Sequence, residues 1–211
     1  MRKLLVLLAV CLTVSVGTAY SEAVDYDEGI DYQLIKPVQP TDDPDRLEVV
    51  EVFWYGCPHC HHFEPSLGPW AKNAPADVNF YRLPAVFNAT WEVHARAYFA
   101  ADILDVLEVS HDDLFHAMHV EHKTFNTVEK LAKFYAKYGI DEALFEKTYN
   151  SFVVNTKIAR SKEMVKRYGI TGVPAVVVEG KYLVTGSMAK SYGNMIKIID
   201  YLLEKERKNK P

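Results

Sequence analysis

Cysteine is scarce in this chain: 211 residues hold three, Cys11, Cys57 and Cys60. That excludes the disulfide-dense framework on which small exported domains often depend. An excess of basic charge is missing too. The 24 Lys and Arg stand against 28 Asp and Glu, a net charge of −4, which leaves no electrostatic footprint for nucleic acid and no polybasic membrane patch. Beyond the first apolar stretch, no run is long enough to span a bilayer. Internal repeats and low-complexity segments are also absent.

What is there begins with an export signal. Arg2 and Lys3 precede an uncharged apolar stretch over residues 4–16, followed by small residues at Gly17, Ala19, Ser21 and Ala23. This is the layout of a cleaved signal peptide over residues 1–19, with cleavage as late as 23 left open. A membrane anchor is the competing reading, and the stretch is short for one. Cys11 follows Leu8-Ala9-Val10, where a lipoprotein box would want a small residue in place of Val10, so Cys11 is read as discarded with the signal. Losing Arg2 and Lys3 takes the charge to −6, or to −5 if Glu22 also leaves. About 190 residues remain, enough for one elaborated domain.

Only Cys57 and Cys60 survive that removal. A bridge across two residues closes a tiny loop and removes little unfolded-chain entropy, so a reactive role explains the pair better than a structural one. Ahead of it, residues 47–55 alternate as a strand. Leu47, Val49, Glu51 and Phe53 share one face; Glu48, Val50, Val52 and Trp54 share the other. Both faces are apolar from Val49 onward, as in a central strand covered on both sides. Cys57 then falls at the first turn of a helix, with Pro58 starting it. A helix N-terminus is electropositive and carries unpaired N–H groups, which favours thiolate there. Protonated His59 would add to that effect. Cys57 is expected to be the exposed nucleophile and Cys60, one turn on, the buried resolving thiol. Glu51 lies six residues before Cys57, and a buried carboxylate has a raised pKa. It is either solvated near an edge or a proton acceptor beneath the dithiol.

The remaining chain reads in blocks. A short edge strand falls within residues 30–35, and a helix after Cys60 is expected to kink or offset at Pro65. A strand over 78–86 is interrupted by Pro84. Residues 90–169 turn to helical period, with four to five helices broken near Ser110, at Asn126-Thr127 and at Gly139-Ile140-Asp141, Asp141 being an N-cap. Trp91, Tyr98, Phe99, Phe134 and Tyr135 are read as core of this block, with an apolar docking surface beside the dithiol as a second role. Strands return at 174–179 and 182–184 around a Gly180-Lys181 turn, and a helix over 191–207 closes the chain.

Cys57-Pro58-His59-Cys60, Glu51 ahead of it, Gly172-Val173-Pro174 before the hairpin and the helical block between two sets of strands together resemble the DsbA family of thiol:disulfide oxidases. The likeness covers nearly the whole mature chain. It implies an α/β, thioredoxin-like fold interrupted by an inserted all-helical domain. The thioredoxin-like parts would be residues 24–88 and 161–211, with the insertion at 89–160. It also implies a cis Pro174 opposite the dithiol and a Val173 backbone offered to a substrate peptide. The redox group would be the Cys57–Cys60 disulfide itself, with no further cofactor. The partners implied are exported proteins still folding in the periplasm and a DsbB-like, quinone-linked membrane protein that reoxidises a monomeric enzyme.

Other readings compete. A reductase or isomerase could share the fold, although the segment before the first strand is short for the dimerisation domain of an isomerase. Cys57 to His61 also satisfies C-x-x-C-H, the c-type haem pattern. Zinc on the two cysteines with His61 or His62 is a further reading, as is a non-catalytic chaperone. His116, His119 and His122, beside Glu121, recur at helical spacing and are expected to form a solvated face rather than a metal site.

Overall fold

Leu47 through Phe53 are buried at all seven positions, and the other elements are arranged about this strand. The computed structural model describes residues 25–210; the signal-peptide reading and Cys11 lie outside the described residues. In chain order the elements are β1 (Gln33–Leu34), β2 (Leu47–Phe53), α1 (Pro58–Lys72), β3 (Val78–Pro84), α2 (Ala89–Ile103), α3 (Leu107–His119), α4 (Val128–Ala136), α5 (Glu142–Tyr149), α6 (Phe152–Arg167), β4 (Ala175–Val178), β5 (Tyr182–Thr185), α7 (Gly186–Ala189) and α8 (Tyr192–Asn209).

The five strands form one sheet in the order β1-β5-β4-β2-β3. β2 and β3 are parallel and joined through α1, while β4 lies antiparallel to β2 and β5 to β4. The alternation along β2 sends Leu47 and Val49 to one face, against Phe63 and Leu67 of α1 and Ile198, Ile199 and Leu202 of α8. Val50 and Val52 point the other way and meet Val165 and Tyr168. Each large apolar side chain so covered contributes about 1.5–3 kcal/mol before ordering entropy is set against it. This is the α/β, thioredoxin-like arrangement the resemblance implies. No helix among the described residues is long and apolar enough to cross a membrane.

Five helices, α2 to α6, stand between β3 and β4. Leu114, Phe115, Leu131, Tyr135, Phe145 and Val154 are buried among them, in a cluster that also takes in Phe53, Tyr55, Cys57 and Cys60. Asn88, Thr127, Asp141 and Ser151 each cap a helix by accepting a backbone N–H, which satisfies donors that would otherwise be orphaned.

Three expectations change. The division at 160/161 falls inside α6, whose first half buries Val154 and Ile158 in the helical core and whose last turns bury Val165 against the sheet. Ser110 breaks nothing: it is buried in α3, its hydroxyl donating to the Val106 carbonyl at 2.6 Å. The break comes earlier, at Asp105, which has φ 57°. Pro65 falls inside α1, as expected, and the helix continues through Pro65 and Pro69 to Lys72. The edge strand shrinks to Gln33–Leu34, paired with β5.

Candidate active site

Cys57 is the N-cap of α1, with φ −89° and ψ 115°, and Pro58 occupies the first turn. Its Sγ accepts the Cys60 backbone N–H at 3.4 Å, the contact a capping side chain makes. The Cys57 N–H donates to the Trp54 carbonyl at 2.9 Å, which turns the chain sharply from β2 into the helix. Gly56 permits that turn for a spatial reason: a Cβ there would land inside the Trp54 indole.

The two sulfurs differ in surroundings, and both thiols are free in this structure. Cys60 is wholly buried, and Cys57, expected to be exposed, keeps only 7% of its surface. The cover comes from a distant segment. The Cys57 thiol faces the Val173 carbonyl at 3.5 Å, and Val173–Pro174 is a cis peptide. A hydrogen bond from the Cys60 thiol, helped by the Cys60 and His59 backbone N–H groups and the charge of His59, pulls the Cys57 thiol down to about 6 against the opposing effect of burial. Burial, with the neighbouring Cys57 and Glu51 charges, pushes Cys60 far above the ordinary thiol range.

Glu51 is fully buried, not solvated. The parallel register sets it opposite Arg82, whose Nε donates to Glu51 Oε2 at 2.9 Å. Burial and then the Glu64 charge raise Glu51 to about 8, against the pull of Arg82. Glu51 Oε1 is buried and has no hydrogen-bond partner. Arg82 also donates through Nη2 to Glu64 Oε2 at 2.9 Å, so one guanidinium joins two carboxyl groups.

His59 is exposed, with Nδ1 3.3 Å from the Tyr192 hydroxyl. Together with Val173, Pro174, Met188 and Tyr192 it lines a groove of about 690 Å³. Trp54, ahead of the dithiol, stacks on Trp91 at 4.3 Å, with exposed Phe87 4.8 Å from Trp91. Tyr98, Phe99, Phe134 and Tyr135 are buried in the helical core.

The histidine face of α3 is not uniformly solvated. His119 donates from Nε2 to the Tyr55 carbonyl at 2.7 Å and stacks on His61 at 5.0 Å. His116 is exposed near Glu121, and His122 lies past the helix end. Among the described residues, neither the two cysteines with His61 or His62 nor this face forms a three-ligand cluster. The one such cluster is Glu64, His111 and Asp112, and its Glu64 is already held by Arg82.

Arg82, Glu64 and His111 join the site without being singled out in the sequence, and His119, expected on a solvated face, joins it through the Tyr55 carbonyl. Arg82 had a legible signal: residues 47–53 and 78–84, paired in parallel from their first residues, put Arg82 beside Glu51. The histidines reach Tyr55 across 56 and 64 residues, and no local pattern reports such contacts.

Residues 77–191 match the model of the DSBA-like thioredoxin domain. The chain is 40% identical to the thiol:disulfide interchange protein DsbA of Pseudomonas aeruginosa, over 96% of each chain. It is 38% identical to the protein of that name from Azotobacter vinelandii, over 98% of this chain and 99% of the relative. The crystal structure of Pseudomonas aeruginosa DsbA superposes with a TM-score of 0.84 at 41% identity, covering 87% of this chain and 96% of the other. The oxidoreductase DsbA of Xylella fastidiosa superposes at 0.79 with 36% identity, over 84% and 95%.

Proposed function

This chain belongs to the DsbA family of thiol:disulfide oxidoreductases, and we propose that it introduces disulfides into exported proteins in the periplasm after loss of its signal peptide. The observation that carries the reading is the asymmetry of the dithiol. Cys57 is held as thiolate near neutral pH while Cys60 is held as thiol. A sulfur that is stable as thiolate leaves readily, so a disulfide made from Cys57 is readily given away.

In the reaction, a substrate thiolate attacks Cys57 Sγ of the Cys57–Cys60 disulfide. The S–S bond breaks, a substrate–Cys57 bond forms, and Cys60 departs with the electron pair. The buried Cys60 sulfur does not persist as an anion, and Glu51, kept protonated by burial and the Glu64 charge, supplies its proton. A second substrate thiolate then attacks the substrate sulfur of the mixed disulfide, and Cys57 leaves as thiolate. The substrate is oxidised by two electrons and the dithiol is reduced. In the reverse direction ionised Glu51 takes the proton from Cys60.

Pro58 presets the helix start, and His59 stabilises the Cys57 thiolate from its exposed position. The Val173 carbonyl and the cis Pro174 border the groove where a substrate peptide would lie. The disulfide is the redox group, so the chemistry calls for no further cofactor. A quinone-linked membrane protein like DsbB would return the dithiol to the disulfide, acting on a monomer.

The test is the reduction potential of the Cys57–Cys60 pair, measured with oxidation of a reduced model substrate. An oxidising potential and turnover lost in Cys57→Ser support the oxidase. A potential close to that of reducing thioredoxins sinks it in favour of a reductase.

A further inference from the structure

Tyr55, two residues before Cys57, is gripped at both ends by α3. His119 holds its carbonyl, and its hydroxyl meets His111 Nδ1 at 2.8 Å. Positions 111 and 119 are eight apart on α3 and so lie on one face. The other ring nitrogen of His111, Nε2, lies 3.2 Å from Glu64 Oε1. Glu64 Oε2 takes Arg82, and Arg82 takes Glu51. A continuous set of hydrogen bonds therefore runs from the inserted block to the carboxyl group under the dithiol.

Hydrogen-bond roles along this set follow from chemistry. An ionised carboxylate only accepts, so His111 Nε2 carries the proton and Nδ1 accepts from the Tyr55 hydroxyl. The ring is neutral in that arrangement. Burial, opposed by the Glu64 hydrogen bond, pulls the His111 pKa below its ordinary value. The ring is 5% exposed and packs edge-on against Phe53 and Phe115. Asp112, Arg82 and Tyr98 are its other titratable neighbours. Glu51 faces Arg82 on β3, Glu64 and both cysteines about α1, and Tyr98 on α2; β4 offers it only Val176.

We propose that His111 is a positioning residue for thiol exchange: it holds Glu64 as an oriented anion against Arg82, and through that pair governs the proton that Glu51 exchanges with Cys60. The inference rests on the oxidase reading above. Burial disfavours the Glu64 anion, and the His111 hydrogen bond, followed by the Arg82 charge, more than offsets it. The Glu64 charge is in turn, after burial, what keeps Glu51 protonated. Without the His111 donor, Glu64 accepts a proton more readily, Arg82 turns to Glu51, and Glu51 ionises at lower pH.

The experiment is stopped-flow oxidation of a dithiol peptide by the oxidised protein, with rates divided by the thiolate fraction of the peptide. The corrected rate is expected to fall with an inflection where Glu51, raised by burial and the Glu64 charge, ionises, and to lose that inflection in Glu51→Gln. His111→Phe keeps a ring among Phe53 and Phe115 and removes both nitrogens. It should move the inflection down by about one pH unit, which is about a tenfold lower corrected rate on the alkaline side. His111→Gln, which retains an N–H for Glu64, should restore the profile towards the original. Glu64→Gln removes the charge from the other end and should shift the inflection the same way, a second reading if His111→Phe fails to fold. An unmoved inflection in His111→Phe or in Glu64→Gln, or one that survives in Glu51→Gln, overturns the inference. A protein that oxidises no dithiol peptide at any pH overturns the oxidase reading instead.

Discussion

Glu51 and Arg82 sit at the same step of the parallel β2–β3 register, joined at 2.9 Å, with Glu51 fully buried and the Arg82 side chain 15% exposed. One cation there answers two carboxyl groups, since Glu64 takes the other end of the guanidinium. Removing the cation costs more than the set contributes, because the Glu64 carboxylate left behind stays buried.

Arg82→Met should therefore destabilise the fold by about 3–5 kcal/mol. Urea denaturation at pH 7 measures it. A loss below about 1 kcal/mol would mean that Glu51 and Glu64 find other partners or water.

The reduced protein should show thiolate absorbance rising with an inflection near pH 6, absent in Cys57→Ser. The same group links stability to pH. Its folded pKa lies below the ordinary 9.0, so the thiolate contribution is full near pH 9 and is lost as pH falls through 6. The oxidised protein has no Cys57 thiolate. The stability difference between reduced and oxidised forms should thus shift against the reduced form from pH 9 to 6 and level off below. A flat difference over that range would contradict the assignment.

Gly56→Ala should lift the Trp54 indole from Trp91, because the added methyl takes its place. Overpacking of this kind costs about 1–3 kcal/mol. Near-ultraviolet circular dichroism should lose part of its tryptophan signal, and oxidation of large substrates should slow with it.

His94 is 4% exposed, with Nε2 3.0 Å from the Phe125 carbonyl, and burial brings its pKa down to about 4 despite that bond. The unfolded chain takes up a proton near pH 6.5 and the folded chain does not, so stability is lost as pH falls from 6.5 through 4. Replacing His94 with Phe should flatten that part of the profile. Equal slopes in urea midpoints between pH 7 and 4.5 for the two proteins would count against it.

Much of this was legible in the sequence because it is local. Alternation along residues 47–53 marks a strand covered on both faces, and Cys57-Pro58 marks the start of a helix; both follow from backbone geometry. Thr127 and Asp141 announce helix starts through their side chains. Asp105 announces nothing, since no glycine marks its positive φ, and the pattern points to Ser110 instead. The burial of Cys57 depends on Val173, 116 residues away, and the partners of Glu51 depend on strand register and on the packing of α1 and α3. These are tertiary facts without a short-range pattern to report them.

The helix α6 crosses the place where two domains were expected to part. One continuous helix has its ends in two different clusters. The helical block and the sheet consequently share one helix. Its excision would strip the sheet face around Val50, Val52 and Val177 of the cover that Val165 and Tyr168 give it. A shortened descendant would need a new lid for that face before it could shed the block, and substrate preference would have to diversify by altering helix surfaces within an inherited whole.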